Sequence, residues 1–353
     1  MKIMVTLDFA PERGGIQNYL GEIVRHTFSS SDMVFVGAAG KVDQTEQNFP
    51  CPIRYFSTFL SKWNKKLSLI SMLTPLFLTL RSKRDKKINI ECGNVYAAVA
   101  PYLLSFFFDV NYSVYSYGTE LIALRKKNIR SLFLIKVLKK AQVVFVLGSY
   151  TQQLLRECGY DGEVRVVTPK IQLPGVVKEK VDISKKLRIL TVGRLVYHKG
   201  HDLLLKALSS VDKYFDWTLV IAGTGQEKNR LLRLSCVLGV GSRVEILEGL
   251  TDSELSEQYS LADLFVLYSR ECREGTEGFG IVLLEAMAHR IPIIASRAGG
   301  IPDVLDNGEC GMLVEPHNPQ KLKDAIDIMA RDKEMRLGYV EKAQNRLREL
   351  YVW

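Results

Sequence analysis

Residues Glu277-Gly278-Phe279-Gly280-Ile281-Val282-Leu283-Leu284-Glu285 place two carboxylates on either side of a glycine pair and a four-residue apolar run. The glycines let backbone approach a ligand closely, and a helix starting at Ile281 turns unpaired N–H groups toward a phosphate. Glu277, in the loop, can accept hydrogen bonds from sugar hydroxyls, and Glu285 can do the same for a second polyol such as a ribose. The plainer reading is a glycine-containing turn whose acids face solvent. Two glutamates flanking the pattern weigh against it.

A second element, Val192-Gly193-Arg194-Leu195-Val196-Tyr197-His198-Lys199-Gly200, sets two cations in one strand-to-helix loop. Arginine grips a phosphate bidentately and lysine adds a compact charge. Together they can neutralise a departing pyrophosphate. His198 and His201 read as ordinary loop residues. Two weaker elements lie earlier, Arg13-Gly14-Gly15 before a helix and Tyr117-Gly118-Thr119-Glu120 past a strand. The first lacks the full dinucleotide spacing but suits an anion. No Walker loop, His-Glu-x-x-His, nucleophile elbow or Asp-x-Asp pair occurs, so the phosphates meet cations and helix ends and no metal site is expected.

These residues need strands to present them. Short apolar runs alternate with amphipathic stretches throughout, the pattern of stacked βαβ units in an α/β fold. Strands are expected at Lys2–Leu7, Asp32–Val36, Tyr112–Tyr115 and Val143–Val146, with a helix over Ile16–His26. After the polar stretch Pro169–Ser184, strands are expected at Arg188–Val192, Thr218–Ala222, Val244–Leu247, Leu264–Tyr268 and Pro292–Ala295. Helices are expected over Asp202–Leu208 and Ile281–Ala288. The architecture expected is two Rossmann-like domains, 1–180 and 181–353, each with a parallel sheet, facing a central cleft.

The 353-residue chain is 47% hydrophobic and 25% charged, ordinary for a globular protein. Its six cysteines show no metal-ligand spacing, and the first residues do not read as a secretory signal, so a cytoplasmic chain with reduced thiols is expected. The net charge of +9 is uneven: residues 1–180 hold 25 Lys and Arg against 14 Asp and Glu. Cations Lys62, Lys65, Lys66, Arg81, Lys83, Arg84, Lys86 and Lys87 flank the apolar run Leu67–Leu80, which contains Pro75. A second cluster comprises Arg125, Lys126, Lys127, Arg130, Lys136, Lys139 and Lys140. The apolar run is short of the roughly 20 residues a bilayer span needs. It reads either as a core helix or as a segment lying in an anionic membrane interface. No nucleic-acid-binding signature accompanies the charge.

In this order and spacing the four elements resemble the large retaining glycosyltransferase family, family four, with the GT-B fold. The resemblance is strongest from Leu187 to Pro316, including Ala262-Asp263-Leu264-Phe265-Val266, Glu285-Ala286-Met287-Ala288 and Ala298-Gly299-Gly300-Ile301-Pro302-Asp303. It implies that Arg194 and Lys199 bind the donor diphosphate and that Glu277, beside backbone from Gly278 through Phe279 to Gly280, holds the donor sugar. It further implies that Glu285 holds the ribose and that Gly15 approaches the donor phosphate. The implied reaction is hexosyl transfer with retention and without a metal. The implied acceptor is a saccharide or lipid-linked saccharide in polysaccharide or glycolipid synthesis, with the enzyme peripheral at the inner face of the plasma membrane.

Three positions depart from the family pattern. Tyr117 stands where many members carry histidine; with Glu120 it remains a candidate donor or acceptor contact. Arg290 replaces a usual glycine at a turn, and the chain reaches Tyr351-Val352-Trp353 where relatives often continue into a helix that crosses to the first domain. Alternatives are a GT-B sugar-nucleotide epimerase and a non-catalytic nucleotide-sugar-binding protein.

Overall fold

The computed structural model describes residues 1–12, 14–38, 49–57, 68–83, 87–126, 128–175, 186–211, 216–273 and 275–353. Arg13, Lys62, Lys65, Lys66, Leu67, Arg84, Lys86 and Lys127, named above, lie outside these residues. The chain divides into two compact units, Met1–Pro169 and Lys170–Trp353. The boundary expected near residue 180 falls between 176 and 185, outside the described residues.

The first unit carries β1 (Lys2–Thr6), β2 (Met33–Gly37), β3 (Ile53–Phe56), β4 (Asn89–Cys92), β5 (Asn111–Ser116), β6 (Val143–Val146) and β7 (Val164–Val166). They form one parallel sheet in the order β3-β2-β1-β4-β5-β6-β7. Ile3, Met4 and Val5 of β1 are buried, because a parallel sheet covered by helices needs apolar residues on both faces. Helix Gly15–Thr27 follows β1, with Leu20, Ile23 and Val24 on its buried face.

In the apolar segment that the sequence left open, Ser68–Ser82 is a helix with Pro75 inside it that buries Met72, Leu76 and Leu80 and exposes Ile70 and Leu78. Among the described residues no helix is long and apolar enough to cross a membrane.

The second unit carries β8 (Lys186–Val192), β9 (Asp216–Ala222), β10 (Val244–Leu247), β11 (Leu264–Leu267), β12 (Ile293–Ser296) and β13 (Met312–Val314). These too are all parallel, in the order β10-β9-β8-β11-β12-β13. All four residues of β11 are buried. Both sheets therefore reverse their winding once, between β1 and β4 and between β8 and β11. At such a switch the loops leaving the two central strands part and open a crevice at their carboxyl ends.

Helix Asp252–Leu261 is fixed by a capping box: Glu254 N donates to Thr251 Oγ1 at 3.2 Å and Thr251 N donates to Glu254 Oε2 at 2.7 Å. The final helix, Lys333–Leu350, belongs to the same unit. Arg346 donates through Nε to the Val304 carbonyl at 3.0 Å and through Nη2 to that of Asp303 at 2.8 Å. Beyond it Ile171 N donates to the Tyr351 carbonyl at 2.8 Å.

Candidate active site

The loops leaving β8 and β11 flank the second unit's switch, and they carry the cations and the first glutamate singled out in the sequence. After β8, Tyr197–Lys199 forms a 3-10 turn that ends at Gly200, whose φ is 67°. A Cβ there would lie 2.0 Å from the Tyr268 carbonyl oxygen, so this loop sits flush against the end of β11. That approach brings Lys199 Nζ onto Glu277 Oε2 in an ion pair, each side chain 12% exposed. Ser269 Oγ also donates to Glu277 Oε2, at 3.1 Å. Burial pushes the Glu277 carboxyl up, but the Lys199 ammonium outweighs it, aided by His198 and Ser269, and the group sits below its ordinary value.

Glu277 is held from behind by backbone. Gly300 N donates to the Glu277 carbonyl at 2.9 Å, and Gly299 adopts a φ of 58°. A Cβ on Gly299 would stand 2.1 Å from the same carbonyl oxygen. The Ala298-Gly299-Gly300 segment therefore sets the height of the loop that carries the acid.

One buried residue that the sequence reading passed over ties the two loops together. Arg270 is 3% exposed and donates through Nε to the Tyr197 carbonyl at 3.0 Å and through Nη2 to Asp202 Oδ1 at 2.8 Å. Its guanidinium lies over the Tyr197 ring, 3.5 Å from the centroid, and its own N donates to the His198 carbonyl at 2.7 Å. The available signal was a lone arginine immediately after the apolar run Leu264-Phe265-Val266-Leu267-Tyr268-Ser269.

Gly280 (φ 91°) caps helix Ile281–Ala288, matching the expected boundaries. Phe279 is buried, its ring edge-on to Tyr351 at 5.9 Å, so it anchors the loop by its side chain and leaves its backbone for a ligand. Glu285 sits one turn on and accepts from the Tyr259 hydroxyl at 2.6 Å. Burial pushes its carboxyl above the ordinary value, and the tyrosine hydrogen bond offsets part of that rise. Tyr259 is itself buried and stacked on His289 at 5.0 Å. At the far end of this helix Arg290 takes a φ of 57°, and Ile291 N and Arg290 N donate to the Ala286 and Met287 carbonyls at 3.1 and 2.8 Å. This is a Schellman turn, in which glycine is the ordinary occupant.

His198 and His201 are not ordinary loop residues. They are 5% and 3% exposed, and burial pushes both imidazoles down to about 4. His201 Nε2 lies 3.3 Å from the Arg194 carbonyl, which can only accept, so that nitrogen carries the proton of a neutral ring. The histidine thus supports the backbone under Arg194, whose side chain is exposed.

Gly15, Tyr117 and Glu120 belong to the first unit. Gly15 is the first residue of its helix, in the loop region that follows β1 at the switch. Tyr117 is buried, with its hydroxyl donating to the Gly93 carbonyl at 2.7 Å and its ring edge-on to Tyr19. Glu120 accepts from Tyr117 N at 2.7 Å and from Ser116 Oγ at 3.1 Å, and burial raises its carboxyl. Both side chains are therefore engaged by the chain itself. Asp8 and Asn94, which the sequence reading did not name, meet across this switch at 2.7 Å. Among the described residues no three His, Cys, Asp or Glu side chains gather as a metal site would need.

Residues 177–346 match the family model described as Glycosyl transferases group 1. The chain is 25% identical over 370 residues, covering 95% of itself and 91% of its counterpart, to a GDP-mannose-dependent alpha-(1-6)-phosphatidylinositol monomannoside mannosyltransferase of Mycobacterium tuberculosis. Over 160 residues, 43% of this chain and 37% of the relative, it is 35% identical to a D-inositol 3-phosphate glycosyltransferase of Corynebacterium jeikeium. The fold is similar to sucrose-phosphate synthase from Thermosynechococcus elongatus, with a TM-score of 0.82, 18% identity, and 100% and 95% of the two chains covered. It is also similar to Anabaena HepE in complex with UDP-glucose, with a TM-score of 0.80, 20% identity, and 100% and 96% covered. The chain is a glycosyltransferase of the GT-B fold, and its second unit contains a group 1 glycosyltransferase domain.

Proposed function

We propose that the chain moves a hexosyl group, with retention, from a nucleotide-diphosphate sugar to a hydroxyl of a saccharide or lipid-linked saccharide. The observation that carries this reading is the meeting of Lys199 and Glu277 at the switch between β8 and β11, with Arg194 and Glu285 on the flanking elements. Arg194 and Lys199 take the diphosphate, Glu277 accepts from sugar hydroxyls, and Glu285 accepts from the ribose. The C1–O bond to the phosphate breaks as the acceptor oxygen bonds C1 on the same face. The acceptor proton passes to the leaving phosphate oxygen, and the two cations stabilise the charge that develops there. No metal takes part in this scheme, so chelation leaves turnover unchanged.

The mycobacterial relative's name includes a phosphatidylinositol mannoside, which favours a lipid-linked acceptor and a peripheral place on an anionic membrane. Donor binding is tested by a thermal-shift panel of GDP- and UDP-sugars, since a ligand that binds only the folded state raises its melting point. A rise with one or more of them is expected. A flat panel removes the reading. An epimerase would instead convert its donor with no acceptor present.

A further inference from the structure

The first unit exposes an unusual amount of aromatic and branched apolar surface at one place. Phe106 is 63% and Phe107 75% exposed, just past helix Val99–Leu104. Helix Ile129–Lys139 adds Ile129 at 88%, Leu132 at 54% and Phe133 at 39%. The two groups are one surface: Tyr102 packs edge-on against Phe106 at 5.3 Å and against Phe133 at 5.8 Å. An apolar patch of this kind on a folded chain marks a place where something docks.

Its border has a single sign. Residues 121–140 contain seven Lys and Arg and no Asp or Glu. Lys140 Nζ lies 4.6 Å from the Phe106 ring centroid, and the Arg130 guanidinium lies 5.2 Å from that of Tyr96, so both cations rim the aromatic surface. Arg125 and Lys139 have acid partners in Glu157 and Asp161. Among the described residues no carboxylate pairs with Lys126, Arg130, Lys136 or Lys140, all exposed.

We infer that this face, Phe106–Phe107 with the outer side of helix Ile129–Lys139, docks on an anionic phospholipid bilayer. The aromatic rings enter the headgroup–acyl boundary, and the four cations that no described carboxylate pairs with rest on lipid phosphates. A protein partner would have to offer an apolar pocket ringed by acids alone, whereas an anionic bilayer supplies both phases without further design. The surface is not that of helix Ser68–Ser82, which buries Met72, Leu76 and Leu80 and exposes Ile70 and Leu78. The inference rests on the proposed membrane-side acceptor but concerns a surface distinct from the donor residues, so the two fail separately.

The test is co-sedimentation of the full chain with vesicles of phosphatidylcholine alone, or of equal parts phosphatidylcholine and phosphatidylglycerol, at low and high salt. Sedimentation with the anionic vesicles only, weakened by salt, is expected. Phe106→Ser with Phe107→Ser should weaken it about tenfold or more, and each of Lys136→Gln and Lys140→Gln about fivefold. Phe107→Trp, which keeps an aromatic ring in place, should shift its emission to the blue when anionic vesicles are added.

A wild-type chain that stays in the supernatant overturns the inference. So does a serine double variant that sediments like wild type, or a tryptophan whose emission does not move. A dimer in light scattering that the serine double variant abolishes would give the surface to a second copy and overturn the inference as well. The melting-point rise with a GDP- or UDP-sugar should be the same in the serine double variant and wild type. Vesicle binding without any such rise would sink the transferase reading alone.

Discussion

Arg270 and Asp202 form a buried ion pair, Nη2 to Oδ1 at 2.8 Å, that joins the loop after β11 to the helix that follows the Lys199 loop. Because Arg270 also holds the Tyr197 carbonyl, the pair controls where Lys199 stands relative to Glu277. Removing Arg270 leaves the buried Asp202 with the more exposed Arg230, 3.6 Å from its Oδ2, as its cation partner.

Arg270→Gln should therefore lower unfolding stability by about 3 kcal/mol and turnover with it. Arg270→Met combined with Asp202→Leu should restore much of the stability without restoring turnover, because the apolar pair no longer holds the Tyr197 carbonyl. Urea melts and initial rates on the same preparations separate the two effects. Recovery of both together would reduce Arg270 to a packing residue.

Tyr259 plays the corresponding part for Glu285, donating to its carboxylate at 2.6 Å from a buried position. Tyr259→Phe keeps the ring and deletes the donor. Loss of a hydrogen bond to a charged group is worth about 1.5–3 kcal/mol, so donor affinity should fall roughly tenfold or more. The carboxyl, already raised by burial, should rise further, moving the acid limb of donor binding to higher pH. Calorimetric titration across pH checks both, and an unmoved acid limb would separate Tyr259 from the ribose site.

Gly299→Ala should cost activity out of proportion to stability. The added methyl would stand 2.1 Å from the Glu277 carbonyl, so the loop must shift, and a displacement near 1 Å can lower turnover about a hundredfold. Gly239→Ala is the control: it shares a positive φ, 71°, but its Cβ meets nothing within 4 Å. It should lose about 1 kcal/mol of stability and leave turnover unchanged. Equal turnover loss in the two would assign the effect to backbone strain.

Acid should weaken the fold through the two buried histidines. Their ordinary value is 6.5 and burial holds each at about 4, so between these the unfolded chain binds protons that the folded chain refuses. Their contribution is complete above pH 6.5 and is lost as pH falls toward 4. Each histidine should remove up to about 2 kcal/mol between pH 7 and about pH 5. His201→Gln retains a donor for the Arg194 carbonyl and should flatten the slope of urea midpoint against pH. An unchanged slope would mean that His201 takes up its proton in the folded chain as readily as in the unfolded one.

What the sequence revealed follows from how local each feature is. β8, β9, β11 and β12 are runs of buried apolar residues, and each was placed within two residues at either end. β3, β4, β7 and β13 escaped notice because they are three or four residues long, and the first three carry Arg54, Glu91 and Arg165 in their interiors. The residue types of the proposed donor site were visible because loops at strand ends concentrate them. Their pairing was not: Lys199 and Glu277 are 78 positions apart, and only the placing of β11 beside β8 brings them together. The histidines were misread for a related reason, since nothing local to His198 shows that Arg270 and Gly275 close over it.

The division of labour between Arg194 and Glu277 is tested most directly by calorimetric titration of the GDP- or UDP-sugar that the thermal panel selects, and of its free nucleoside diphosphate. Wild type, Arg194→Ala and Glu277→Ala would be compared. Arg194→Ala should weaken both ligands alike, by about tenfold or more, because it removes a charge from the diphosphate. Glu277→Ala should weaken only the sugar-bearing ligand; the free diphosphate should bind as before or more tightly, because Lys199 then has no competing carboxylate. A Glu277→Ala protein that binds the nucleotide-sugar as well as wild type does would contradict the placing of the sugar at Glu277.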